Sequence, residues 1–327
     1  MARFDNVKKI LVITLSNVGD VILTTPVISC LRQEYPESEI TVLAGEKTIS
    51  ILMNSRTIQE VIPYNKHASW LRKILLVFKL RAKKFDLVAD LRNTAIPLLI
   101  GARYRTAMVP DRKTIPMRAR HLSQIRELVS TIDRENCFDF FSQEEDETAM
   151  AKYKARLNGA EDKAFVVVVP GARSSLKRWT VKGFAWLVQY LYQRGKTVVL
   201  VGNEKDIEEE LMSILRCPVV NLFGSLTLRE LSAIVHHAEM VVCNDSGVMH
   251  LTSELKRPVV CVYGPTSEEI CGPRGSHVRI VRKKLDCAPC DKAECVKARR
   301  ECLDDLPVED VISACEELFE SAANHAV

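Results

Sequence analysis

Apolar residues in this chain follow two rhythms. Compact runs rich in Val, Ile and Leu stand at Lys9–Leu15, Ile40–Ala44, Val61–Tyr64 and Phe85–Leu91 in the first half. Similar runs stand at Phe165–Val169, Thr197–Gly202, Met240–Cys243 and Val259–Val262 in the second. Between them, apolar positions recur at helical spacing over Asp20–Glu34, Ser69–Lys83, Thr180–Gln193, Asp206–Leu215 and Leu228–His237. The first rhythm predicts strands buried on both faces, and the second predicts helices that bury one stripe. Strands alternating with helices imply parallel sheets. The series starts afresh after the helix stop Asn158-Gly159, so the chain reads as two Rossmann-like α/β domains, residues 1–158 and 159–327, with a cleft between. The acidic stretch Glu144–Leu157 is expected to be a helix bridging them. The amphipathic stretch Leu306–Ala322 is expected to be a final helix, able to pack back on the first domain.

Composition narrows the class. Hydrophobic residues make up 47% and charged residues 27% of the 327, an ordinary globular balance. No stretch approaches the roughly 20 apolar residues that a membrane-crossing helix needs. The leading run Ile10–Leu15 is short for a signal peptide, so a cytoplasmic chain is expected. Eleven cysteines are scattered, Cys243 and Cys261 inside presumed core strands, which suits a reducing compartment. The net charge of +4 hides an asymmetry. Residues 1–135 carry 22 Lys and Arg against 13 Asp and Glu, whereas residues 136–327 carry 24 against 29. The basic half is expected to meet something anionic.

Candidate chemistry clusters where strands end. Asn244-Asp245-Ser246-Gly247-Val248-Met249-His250 joins a strand to a helix, and the free N–H groups of a helix start attract phosphate. The competing reading is that Asp245 or Ser246 merely caps that helix. The loop Pro170-Gly171-Ala172-Arg173-Ser174-Ser175-Leu176-Lys177-Arg178-Trp179 carries three cations at a second sheet-edge position. Two anion sites at one edge suit a diphosphate, with a cation to neutralise it as a leaving group. Glu204, after Val201-Gly202-Asn203, stands where a carboxylate accepts bonds from ribose hydroxyls, or simply starts a helix. The first strand ends in Ser16-Asn17-Val18-Gly19-Asp20, without the G-x-G-x-x-G of a dinucleotide dehydrogenase. Asp20 reads either as a helix cap or as a general base on a rigid turn.

These stretches, with Tyr263-Gly264-Pro265-Thr266, fall in the order and spacing of one family. The chain resembles the bacterial ADP-heptose:lipopolysaccharide heptosyltransferases, glycosyltransferase family 9, over essentially its whole length. The Asn-Asp-Ser-Gly-x-Met-His and Lys-Arg-Trp forms look closer to the heptosyltransferase II branch than to the I branch. The resemblance implies a GT-B fold and an inverting transfer without a catalytic metal or cofactor. The acceptor would bind the first domain and the nucleotide-sugar donor, ADP-heptose, the second. It further implies that Asp20 is the base and that Lys177 contacts the donor's phosphates or sugar. Glu204 would hold the ribose, and the amides of Ser246, Gly247 and Val248 the diphosphate. Asp245 would bind heptose hydroxyls, and Arg178 and His250 would join the donor site, although a packed core histidine suits His250 equally. The family's usual proline after the tryptophan is Thr180 here, a change confined to a helix start.

Residues 66–84 hold seven Lys and Arg and no acid, interleaved with Trp70, Leu71, Ile74, Leu75, Val77, Phe78 and Leu80. Such a basic amphipathic helix rests on anionic membrane. Residues 103–126 add seven cations against Asp111 alone. Given the resemblance, Arg72, Lys73, Lys83, Lys84, Arg103, Arg105, Arg118 and Arg120 are expected to face a phosphorylated, acidic inner-core lipopolysaccharide acceptor or the inner membrane that bears it. A solvated basic face is the alternative. Nucleic acid is disfavoured, because no nucleic-acid motif accompanies the charge. Cys287, Cys290, Cys295 and Cys302, spaced C-x2-C-x4-C-x6-C, could enclose a structural zinc, or stay reduced thiols. Two rival functions are a GT-B nucleotide-sugar epimerase and a non-catalytic protein that binds metal through these cysteines.

Overall fold

The computed structural model describes residues 3–14, 17–108, 115–132, 138–157, 164–292 and 294–325. The chain divides into two units, Met1–Ser142 and Gln143–Val327. Leu15, Ser16, the Asn158-Gly159 stop, Asp111, Arg112 and Lys113 lie outside the described residues.

The first unit runs β1 (Lys9–Ile13), α1 (Val18–Ile22), α2 (Thr25–Glu34), β2 (Glu39–Gly45), α3 (Ile49–Leu52) and β3 (Glu60–Tyr64). It continues through α4 (Trp70–Ala82), β4 (Leu87–Asp90), α5 (Ile96–Ile100), β5 (Tyr104–Arg105) and α6 (Met117–Gln124). The strands form a parallel sheet in the order β3-β2-β1-β4-β5. The order reverses between β1 and β4, where Ile13 pairs with Asp90. The helix expected over Asp20–Glu34 is two helices. The hydroxyls of Thr24 and Thr25 donate to the carbonyls of Val21 and Ile22 at 2.6 and 2.8 Å, and Pro26 has no N–H to donate. These three residues end α1 and start α2. Pro63 is tolerated because β3 is an edge strand.

The second unit begins with α7 (Gln143–Lys154), then β6 (Phe165–Val169), α8 (Val181–Gln193), β7 (Thr197–Leu200), α9 (Lys205–Ile214) and β8 (Val220–Asn221). There follow α10 (Leu228–His237), β9 (Met240–Asn244), α11 (Gly247–Glu254), β10 (Val259–Tyr263), α12 (Glu268–Cys271) and β11 (Val278–Arg282). Two helices close it, α13 (Glu301–Asp304) and α14 (Val308–His325). This sheet is parallel too, in the order β11-β10-β9-β6-β7-β8. Its central strands are wholly buried valines and leucines, including Val166, Val168, Leu200, Val242 and Val260. Thr180, in the place of the family's proline, caps α8 by accepting from the Gly183 N–H at 3.0 Å.

Two expectations about domain organisation change. The division falls after Ser142, not at Asn158, because α7 packs on α10. Glu145 there pairs with Arg229 at 2.7 Å, Lys152 with Glu230 at 2.8 Å and Asp146 with His237 at 2.8 Å. The final helix buries Val311, Ala314, Cys315 and Leu318 in the second unit's own core, beside α8, β10 and β11. That apolar face is the one expected to turn back to the first domain, and the second unit takes it up. No described helix is long and apolar enough to cross a membrane.

Candidate functional site

The second sheet reverses its strand order between β6 and β9, the place where open α/β sheets bind ligands beyond their carboxyl ends. The Pro170–Trp179 loop leaves β6 there, and Asp245-Ser246-Gly247 leaves β9. Asn244 ties them together and is wholly buried. Its amide donates to the Pro170 carbonyl at 2.7 Å, and its carbonyl accepts from the Trp179 N–H at 2.8 Å. The sequence shows Asn244 only as part of a motif. Its role needs the pairing of β6 with β9, which brings residues 74 apart in the chain into contact.

Asp245 is nearly buried and caps nothing. Lys177, on a short turn Ser175–Lys177, holds its Nζ 2.7 Å from Asp245 Oδ2. The hydroxyl of Thr266, on the loop after β10, donates to the same oxygen. Ser246 occupies the N-cap position of α11 with no side-chain cap, and its Oγ is buried without a partner. The first N–H groups of α11 are therefore left to a ligand or water. Both capping readings of this turn fail on that geometry. What stands instead is a half-exposed ammonium held by a buried carboxylate, next to an uncapped helix start.

His250 lies one turn into α11, only 7% exposed. Burial holds its imidazole down to about 4, against the pull of Asp245, so it is neutral near neutral pH. Its Nδ1 has no partner. It is a packed histidine near the Lys177–Asp245 pair.

Glu204 stands at the N-cap position of α9 but does not cap it. Its carboxylate accepts from the Asn203 N–H at 3.1 Å. It lies against Gly171, where an added Cβ would be 2.1 Å from Oε2. A side chain at 171 would have to push the flexible Glu204 carboxylate aside, and the glycine itself takes no left-handed backbone angle. Arg178 donates through Nε to the Ala172 carbonyl at 2.7 Å and points its fork at Glu204 and Asp206, at 4.0 and 3.6 Å. The turn is propped from behind by Arg300, which donates to the carbonyls of Ser175 and Arg178 and pairs with Asp304 at 2.7 Å. Arg300 is marked by no local motif, and Thr266 stands in the Tyr263-Gly264-Pro265-Thr266 stretch without any sign there of its bond to Asp245. Lys177, Arg178, Glu204, Asp245, Ser246, Gly247 and Val248 thus gather at one sheet edge.

Asp20 belongs to the first unit, in the first turn of α1 and half-buried. The Asn17 amide donates to its Oδ2 at 2.8 Å, orienting the carboxylate. The basic residues divide. Arg72 and Lys73 are exposed on α4, as is Lys84 beyond its end. Lys83 is instead paired with Glu60 at 2.6 Å and is not a spare charge. Arg103 packs over the Tyr104 ring. Arg105 lines a cavity of about 300 Å³ with Asp90, Asn93 and Thr94 at the carboxyl ends of β4 and β5. Arg118 and Arg120 lie half-buried on α6, apart from the exposed face of α4 in the sequence and both already engaged in contacts.

The four clustered cysteines line one cavity of about 230 Å³ beside Arg300. All are free thiols, and among the described residues no three His, Cys, Asp or Glu side chains are placed to hold a metal ion. The expectation of an enclosed zinc is not met. Cys302 is carried on α13, anchored by buried Leu303, while the other three lie on the irregular segment before it.

Two parallel-sheet α/β units of this topology define a protein of the GT-B fold class. Residues 76–299 match the model of glycosyltransferase family 9 (heptosyltransferase), and the chain belongs to that family. It is 28% identical to lipopolysaccharide heptosyltransferase 3 of Escherichia coli (strain K12), covering 94% of this chain and 97% of that protein. It is 26% identical to lipooligosaccharide heptosyltransferase 2 of Haemophilus ducreyi, covering 84% and 88%. In fold it is similar to the solved ADP-heptose lipopolysaccharide heptosyltransferase II of E. coli. That TM-score is 0.75 at 24% identity, over 96% of this chain and 99% of that one.

Proposed function

We propose that this enzyme is an inverting, metal-independent transferase that moves heptose from ADP-heptose to the inner core of lipopolysaccharide, working at the cytoplasmic face of the inner membrane. The observation that carries the reading is the Lys177–Asp245 pair beside the uncapped start of α11. A diphosphate leaving group needs a cation and oriented N–H donors that are in place before charge develops. Lys177 supplies the first, and the amides of Ser246, Gly247 and Val248 the second. Asp245 holds the ammonium in position and, with Thr266, offers oxygen acceptors to sugar hydroxyls. Glu204 takes the ribose hydroxyls. Asp20, oriented by Asn17, removes the proton from the acceptor hydroxyl as the sugar bond to the diphosphate breaks with inversion. Arg105, with its neighbouring cavity, suits an acidic or phosphorylated acceptor sugar.

The test is transfer from ADP-heptose to heptose-deficient lipopolysaccharide. Wild type should turn over with EDTA present. Asp20→Ala should lose at least a hundredfold in rate, on the scale of general-base catalysis, with ADP affinity nearly unchanged. Transfer by Asp20→Ala within tenfold of wild type would remove it from the mechanism. Activity lost to EDTA and restored by magnesium or manganese would overturn the metal-independent route.

A further inference from the structure

Helix α4 is apolar on two sides, and the fold uses one. Leu76, Val77 and Leu80 face the sheet, and Leu80 is the helix's single fully buried residue. On the other side Trp70, Leu71, Ile74, Leu75 and Phe78 recur at helical spacing and are each between 44% and 68% exposed. Leu98 and Leu99 on the adjacent α5 are more than half exposed as well. A helix of a soluble domain normally keeps its outer face polar, and contiguous exposed apolar area of this kind marks an interaction surface.

We propose that α4 is a membrane-docking element, whose outer ridge inserts into an anionic bilayer while Arg72, Lys73, Lys79 and Arg81 bind the headgroups. This rests on the reading of a lipid-borne acceptor and names the surface that brings the enzyme to it. Charge selects the partner. Residues 66–84 contain no acid, so two copies pairing through α4 would bring like charges together, whereas anionic lipid complements them. Apolar and cationic contacts act jointly here, as in other interfacial helices. The apolar part separates this surface from a merely solvated basic face: binding through it survives salt that screens the charges.

The experiment uses the full chain with vesicles of phosphatidylglycerol and phosphatidylethanolamine. Trp186 is the other exposed tryptophan and Trp179 is buried, so a Trp186→Phe background makes Trp70 the surface reporter. Brominated acyl chains should quench Trp70, and part of the binding should persist at high salt. Leu75→Glu with Phe78→Glu should weaken binding by about tenfold or more and abolish quenching. The same variant should transfer to a delipidated, water-soluble acceptor like wild type, showing that it is folded. Unquenched Trp70, or wild-type vesicle binding by the double variant, overturns the proposal. So does a wild-type dimer that ignores vesicles and becomes monomeric in the double variant, which assigns the ridge to a second copy. Vesicle binding by a chain that transfers heptose to neither acceptor upholds the docking surface and overturns the acceptor reading alone.

Discussion

Asn244 does more for the candidate donor site than its place in a motif suggests. One amide joins the two segments that carry Lys177 and Asp245, with both of its bonds fully buried. Replacing it by Ala leaves the Pro170 carbonyl and the Trp179 N–H unpaired, at about 1–3 kcal/mol each. Asn244→Ala should therefore lower the melting temperature and raise the KM for ADP-heptose together. Asn244→Asp keeps the acceptor for Trp179 and should fall between. A variant that melts lower but binds donor unchanged would show that the loop holds its shape without Asn244. His250 carries the opposite lesson. Its type suggests ligand chemistry, but burial keeps it neutral behind the site.

At the scale of elements, the candidate donor edge is held by contacts between turns. The close approach of Gly171 to Glu204 joins the turns after β6 and β7. Gly171→Ala should push the Glu204 carboxylate aside without straining its own backbone. The expected result is a rise in donor KM of about tenfold, the size of one charge-assisted bond, with little change in melting. In a Glu204→Ala background the same substitution should add almost nothing, which a double-mutant cycle would read directly. A full additional loss there would place the effect of Gly171 elsewhere. The pairing of α7 with α10 shows the same dependence on partners. Burial pushes the Glu230 carboxyl up, but the Lys152 ammonium and the bonds from Thr227 outweigh it and hold it below its ordinary value.

For the whole molecule, these buried groups make stability fall with acid. His121 in the first unit and His250 in the second are both held down to about 4 by burial. Unfolded histidine takes its proton near 6.5, so between those values the unfolded chain binds more protons than the folded one. The stabilisation is complete above that range and is lost as pH drops through it, by up to about 1.4 kcal/mol per pH unit for each histidine. The depressed Glu230 carboxyl acts in the same direction at lower pH. Melting temperature should be flat above neutrality and decline from pH 6.5 towards 4. His121→Gln and His250→Gln should each flatten that decline. An unchanged slope in both would assign acid lability to other groups.

The alternation of buried strands with helices, the parallel sheets and the positions of Lys177, Glu204, Asp245 and Asp20 at strand ends were legible in the linear pattern. Periodicity and small-residue turns are local properties, and the family resemblance rests on residues near each other in the chain. Partners were not legible. That Lys177 meets Asp245, that Asn244 pins the loop before Trp179, that Arg300 props it and that Lys83 is taken by Glu60 depend on which strands lie side by side. The split of the first helix followed from three hydroxyl and proline residues whose choice between ladder and cap is made by packing. The free thiols at Cys287, Cys290, Cys295 and Cys302 show the limit of spacing alone, which says what could meet and not what does. The amphipathic, basic character of α4 was legible in the sequence, but which of its apolar residues the fold covers (Leu76, Val77 and Leu80) and which it leaves exposed is decided by the neighbours.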